Sequence, residues 1–105
     1  MARIVLAIAA VVICSAIAHA KSSAVSLSGG DGSSFAKAIV VKASTDHAGV
    51  NAQHDYIAKH FGKWRYMGVK TVEHNKRVFD IMSFTTIDGK KHTLYFDITD
   101  YYGKL

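Results

Sequence analysis

Apolar residues fall into three regimes along the chain. Ile4 to Ile17 is an uncharged apolar run, Lys21 to Ser34 is nearly bare of large apolar groups, and from Phe35 onward the apolar positions become periodic. Within the periodic part, Ala38 to Ala43 is short and β-branched and leads into Ser44-Thr45-Asp46, a pattern that predicts a strand running into a loop. Val50, His54, Ile57, Ala58 and Phe61 then recur at helical spacing, with Ala52, Asp55 and Lys59 on the far side. A helix is therefore expected from Asn51 to Phe61, with Asn51 as N-cap and Gly62 as its stop. Three strand-type runs follow: Trp64 to Val72, Arg77 to Ile87 and His92 to Thr99. Glu73-His74-Asn75-Lys76 supplies a polar connection, and Asp88-Gly89 carries a two-residue hairpin signal, both residues tolerating positive φ. The expected fold class is α+β: one helix packed on a small antiparallel β-meander, with an additional N-terminal strand.

Alternation then assigns faces. Leu94, Phe96 and Ile98 share one side of the last strand, and Thr93, Tyr95 and Asp97 the other. Phe79 and Ile81 are placed inward because the opposite choice would bury Asp80, and Met67 and Val69 form the matching inward pair. The helix would cover this face through Val50, Ile57 and Phe61. Tyr66, Met82, Phe84 and Tyr95 would then share the outward face, and a contiguous exposed apolar patch marks an interaction site. These four are the candidate binding residues, for a protein partner or a second copy of the chain. Two arrangements would remove the patch: a bulge that shifts the register, or Phe35–Ala43 folding across it as a second minor core.

The regime before Phe35 bounds the compartment. Arg3 precedes the apolar run, and Ala18-His19-Ala20 closes it with small residues where signal peptidase needs them, so residues 1–20 are expected to be a cleaved signal peptide. The run is shorter than the roughly 20 apolar residues that span a bilayer, so no stable membrane span is expected after cleavage. A periplasmic or secreted location follows. Cys14 is the only cysteine and lies inside this leader, which leaves the mature chain without disulfides, thiolate metal ligands or a cysteine nucleophile. Lys21 to Ser34, with six Ser and three Gly in fourteen positions, is expected to be a flexible tether. Residues 35–105 then form a single domain.

Charge and candidate chemistry change this picture little. Residues 35–105 hold eleven Lys and Arg against seven Asp and Glu, a net charge of +4 with histidines neutral, which favours anionic partners such as cell-wall polymers or acidic proteins. The cations are interrupted by acids and fall mostly near predicted turns, the usual place of solvated charge. No two histidines take the i, i+4 spacing of a helical metal pair, so no metal and no cofactor is expected. His47, His54 and Asp55 could converge before the helix as a metal or acid–base cluster, the alternative function class of a small secreted enzyme or metal binder. Serines are concentrated in the tether, Ser83 lacks an elbow motif, and Glu73, the only glutamate, flanks a turn, so no catalytic residue is expected. Tyr66, Phe84 and Tyr95 with Lys70 is a combination that single-strand binders use, but no nucleic acid is expected for an exported chain.

Val78-Phe79-Asp80-Ile81, Asp88-Gly89-Lys90, Tyr95-Phe96-Asp97 and Gly103-Lys104 follow a helix in the order of the meander of small secreted bacterial domains called PepSY and PepSY-like, and the last 55 or so residues resemble those domains. The resemblance implies a non-enzymatic exported module that binds or inhibits proteins such as proteases, and it carries no catalytic residues. The ending Tyr95 to Gly103 departs from that pattern in its aromatic richness. The order of strand, helix and meander is also similar to cystatin-like inhibitors, whose glutamine–valine–glycine hairpin signature is missing here.

Overall fold

The computed structural model describes residues 24–105. The expected signal peptide and the first residues of the expected tether lie outside them. The elements are β1 (Ser26–Gly29), β2 (Ile39–Lys42), α1 (Asp46–Phe61), β3 (Trp64–His74), β4 (Arg77–Thr86) and β5 (Lys91–Asp97). They form one five-stranded sheet in the order β1-β2-β5-β4-β3, with α1 packed across one face. β3, β4 and β5 are the expected antiparallel meander, and β2 joins β5 in parallel through Ile39 opposite Phe96. The domain is therefore α+β, with the N-terminal strand in place. Among the described residues no helix is long and apolar enough to cross a membrane.

The segment expected to be a tether is partly built into the sheet. Ser26–Gly29 pairs antiparallel with β2, and Gly32 accepts a hydrogen bond from the Tyr95 amide at 2.8 Å. Asp31 holds the connecting loop by accepting from both the amide and the hydroxyl of Ser33, bonds that keep its carboxyl below the usual aspartate range. Gly32 has φ +83 and lies where an added Cβ would meet the ends of Ile39 and Leu94. Composition predicts mobility here because it counts apolar side chains, whereas these residues are ordered through backbone bonds and close approach.

The helix begins five residues before the expected start. Thr45, in an extended conformation, accepts from the Ala48 amide and is the N-cap, so Asn51 is an interior residue. Gly62 ends the helix as expected, its amide donating to the Ala58 carbonyl at 3.0 Å. Gly49, Ala52, Gln53 and Ile57 are the buried positions, so the inward stripe is rotated toward Gln53, while Ala58 faces solvent. Gly49 reads in sequence as a helix breaker, yet it sits in the first turns because the ring of Tyr101 lies against its Cα, where no Cβ would fit. Tyr101 arrives there on a turn after β5, with its amide bonded to the Ile98 carbonyl and its carbonyl accepting from Lys104, whose own carbonyl accepts from Asp46.

The hairpins divide the turn chemistry differently from expectation. Asn75 and Lys76 both take positive φ, 50° and 65°, giving the tight two-residue β3–β4 turn. At the β4–β5 hairpin only Gly89 has positive φ, and Asp88 instead accepts from the Thr86 hydroxyl and the Lys90 amide.

Candidate functional site

The four residues expected to form one outward patch lie in three different environments. Met82 and Phe84 are buried under α1, at 2% and 0% exposure, in the core with Leu94, Phe96, Ile57 and Tyr101. Phe61 meets Phe84 edge to face at 5.1 Å. Tyr95 is half-buried on the opposite, helix-free face, where the ring of Phe35 packs edge-on against it at 4.9 Å and stacks on His74. Only Tyr66 is open to solvent. The β4 parity is thus the reverse of the expected one, and Phe79 and Ile81 belong to the helix-free face.

Asp80 causes the reversal. Its carboxylate is buried, but it accepts from the Gln53 amide at 2.9 Å and from the Thr71 hydroxyl at 2.6 Å. A buried carboxylate is expensive only when it lacks donors, and here a glutamine 27 residues earlier supplies one. Gln53 also donates to the Tyr101 hydroxyl at 2.5 Å, and burial, reinforced by the charges of Asp80 and Asp46 and only partly offset by Gln53, pushes the Tyr101 phenol well above its ordinary pKa. Gln53 Oε1 is buried without a hydrogen-bond partner.

A second irregularity, in β3, shapes the site. Tyr66 pairs with Phe84 and Gly68 with Ser83, so Met67 is an extra residue in a β-bulge. The expected inward pair of Met67 and Val69 is therefore replaced by Tyr66 and Val69, which both look toward the helix side. Between α1 and β3 lies a groove of about 270 Å³ lined by Val50, Gln53 and His54 of the helix, Tyr66 and Val69 of β3, and Asp80 and Met82 of β4. Tyr66 and Val69, both in its lining, are 52% and 42% exposed, and the bulged Met67 between them is 51% exposed. β3 is an edge of the sheet, and no described strand pairs with its outer side.

The helix-free face has its own hollow, about 430 Å³, with Phe35, His74, Arg77, Phe79 and Asp97 among its walls. Arg77 donates from Nε to Asp97 at 2.6 Å. Burial pushes the Asp97 carboxyl up, but bonds from Arg77 and from the Thr99 amide and hydroxyl outweigh it and hold Asp97 below the usual aspartate range. The histidine cluster does not assemble. His47 is exposed and paired with Asn51, His54 lies edge-on to Trp64 at 5.2 Å, and Asp55 is exposed. Among the described residues no three His, Cys, Asp or Glu side chains gather closely enough to hold a metal ion.

Sequence alternation identified Tyr66 and missed Val50, Gln53 and Val69 as site residues. One signal was present: Gly68, an isolated glycine inside a strand pattern, marks a bulge. Comparison with family models, curated proteins and solved structures finds no match to this chain.

Proposed function

We propose that the chain is an exported binding module of the bacterial envelope that holds an extended segment of a partner protein along the outer edge of β3. The observation that carries this reading is the coincidence of an eleven-residue edge, with no described strand on its outer side, and exposed Tyr66 and Val69 lining the groove beneath α1. A free edge offers alternating amides and carbonyls to an added strand, and an adjacent pocket selects one of its side chains. The groove is walled by Val50, Tyr66, Val69 and Met82, so an apolar side chain of the partner suits it. The signal-type leader supports export, and the likeness to PepSY-like domains supports protein binding over catalysis.

The test is recovery of partners from envelope extract by wild type, by a Tyr66→Asp/Val69→Asp variant and by Thr93→Asp, which changes the opposite face. Loss of a defined partner in the first variant and its retention in Thr93→Asp is the expected result. Equal recovery by all three rejects the β3 edge.

A further inference from the structure

Beyond the edge of β3, the helix-free face of the meander carries a second chemistry. We infer that it binds an acidic polysaccharide. The register places Arg65, Thr85 and Lys91 in one cross-strand row, Gly68, Ser83 and Thr93 in the next, and Lys70, Ile81 and Tyr95 in a third. Arg65, Lys70 and Lys91 are exposed, and the only ion pair among the described residues is Arg77–Asp97 at the foot of the same face. Asp97 is the one carboxylate in these strands on that side, and Arg77 neutralises it. Glu73 and Asp80 look toward the helix, and Asp88 lies in the hairpin turn beyond the first row, accepting from Thr86 and Lys90. Within these three rows Arg65, Lys70 and Lys91 therefore have no ion-pair partner among the described residues.

Spacing and lining select the ligand. Arg65 and Lys91 flank Thr85 two strand spacings apart, about 10 Å, and the row of Lys70 lies four residues further along β4, about 13 Å. Cations spread this widely match charges repeated along a polymer better than a single phosphate. Between them lie hydroxyls: Ser83 Oγ and Thr93 Oγ1 are 3.4 Å apart, with Thr85 in the adjoining row. A hydroxyl-rich strip with flanking cations suits acidic sugars, which present both hydroxyl and carboxylate or sulfate groups. A single-stranded nucleic acid would need an open ring to stack on, and Tyr95 is packed against Phe35. A bilayer would need several protruding apolar groups along the face, and within the three rows Ile81 is half-buried, the exposed Ile87 lying beyond them in the hairpin turn.

The full mature chain is tested against alginate and heparin, with neutral dextran, oligo-dT and phosphatidylglycerol vesicles in parallel. Binding to the two acidic polysaccharides is expected to weaken roughly 20-fold between 50 and 200 mM salt if three cations are engaged. R65Q/K70Q/K91Q should lower affinity at least tenfold, whereas K59Q/K76Q/K104Q, which removes the same charge elsewhere, should leave it within twofold. Circular dichroism confirms that both variants fold. Equal losses in the two variants, or tighter binding of oligo-dT or vesicles than of the polysaccharides, overturns the inference. A neutral Tyr66→Ser/Val69→Ser variant, which adds no charge beside Arg65 and Lys70, should lose the β3-edge partner yet bind polysaccharide within twofold, so the two surfaces stand or fall separately.

Discussion

Gly49→Ala tests whether the C-terminal turn really holds the helix. At an exposed helical position this change stabilises by about 1 kcal/mol, because alanine restricts the unfolded chain and favours helix. Here the new Cβ would fall inside contact distance of Cδ2, Cε2 and Cζ of Tyr101. The ring cannot easily withdraw. Its hydroxyl is bonded to Gln53, and the backbone on either side is tied to Ile98 and, through Lys104, to Asp46. Overpacking of this kind costs about 1–3 kcal/mol, and complete expulsion of the ring about 3–5 kcal/mol. Against the propensity gain of about 1 kcal/mol, the net loss is about 0–2 kcal/mol if the ring shifts and about 2–4 kcal/mol if it is expelled. For a domain of this size each kcal/mol shifts Tm by about 4–8 °C, so thermal unfolding followed by circular dichroism resolves it readily. Tyr101→Leu lowers stability alone but gives the added methyl room, so the penalty of Gly49→Ala should shrink or change sign in that background. A Gly49→Ala protein more stable than wild type would show that Tyr101 is not seated against the helix.

Three further outcomes follow from the same contacts. Phe84→Asp should abolish cooperative unfolding while Tyr66→Asp leaves Tm within a few degrees, and similar behaviour of the two in thermal melts would contradict the β4 parity. Thr45→Ala should cost about 1 kcal/mol through loss of the N-cap, and urea unfolding should place the change in the midpoint without altering the slope. Asp97 has a depressed pKa in the folded protein, so its stabilisation is present above the unfolded aspartate value of 3.8 and is lost as pH falls through the lower folded value. Carboxyl carbon NMR should find Asp97 titrating below 3.8 in wild type and at higher pH in Arg77→Ala; an unmoved midpoint would show that Arg77 contributes nothing.

The parts of this fold legible in the sequence are those set by local periodicity. The strand periods located β2 to β5 to within a few residues, and Gly62 ended the helix because only a residue tolerant of φ 78° continues the chain there. What could not be read locally depended on partners far along the chain. Thr45 and Gly49 look like loop residues until Lys104 and Tyr101 are brought beside them. Ser26–Gly29 looks like linker until β2 offers it a ladder.

The candidate site was obscured by the same kind of distant partnership, and its effect is larger because strand parity propagates. Treating Asp80 as necessarily solvated fixes every other residue of β4, so the hydrogen bonds that Asp80 accepts from Gln53 and Thr71 go with Met82 and Phe84 in the core under the helix and Phe79 and Ile81 on the helix-free face. The bulge at Met67 then restores some of what was lost. By inserting one residue it leaves Tyr66 and Val69 on the same side as Met82, where an unbroken strand would have turned one of them away. Buried Asp80 and exposed Tyr66 therefore belong to one arrangement. The carboxylate bonded to Gln53 helps form the floor of the groove, and the bulge brings the apolar rim to its mouth. Deleting Met67 would straighten β3 with Tyr66 and Val69 two residues apart and still on the helix side, so groove and core should both survive, and loss of the groove in that variant would refute this register.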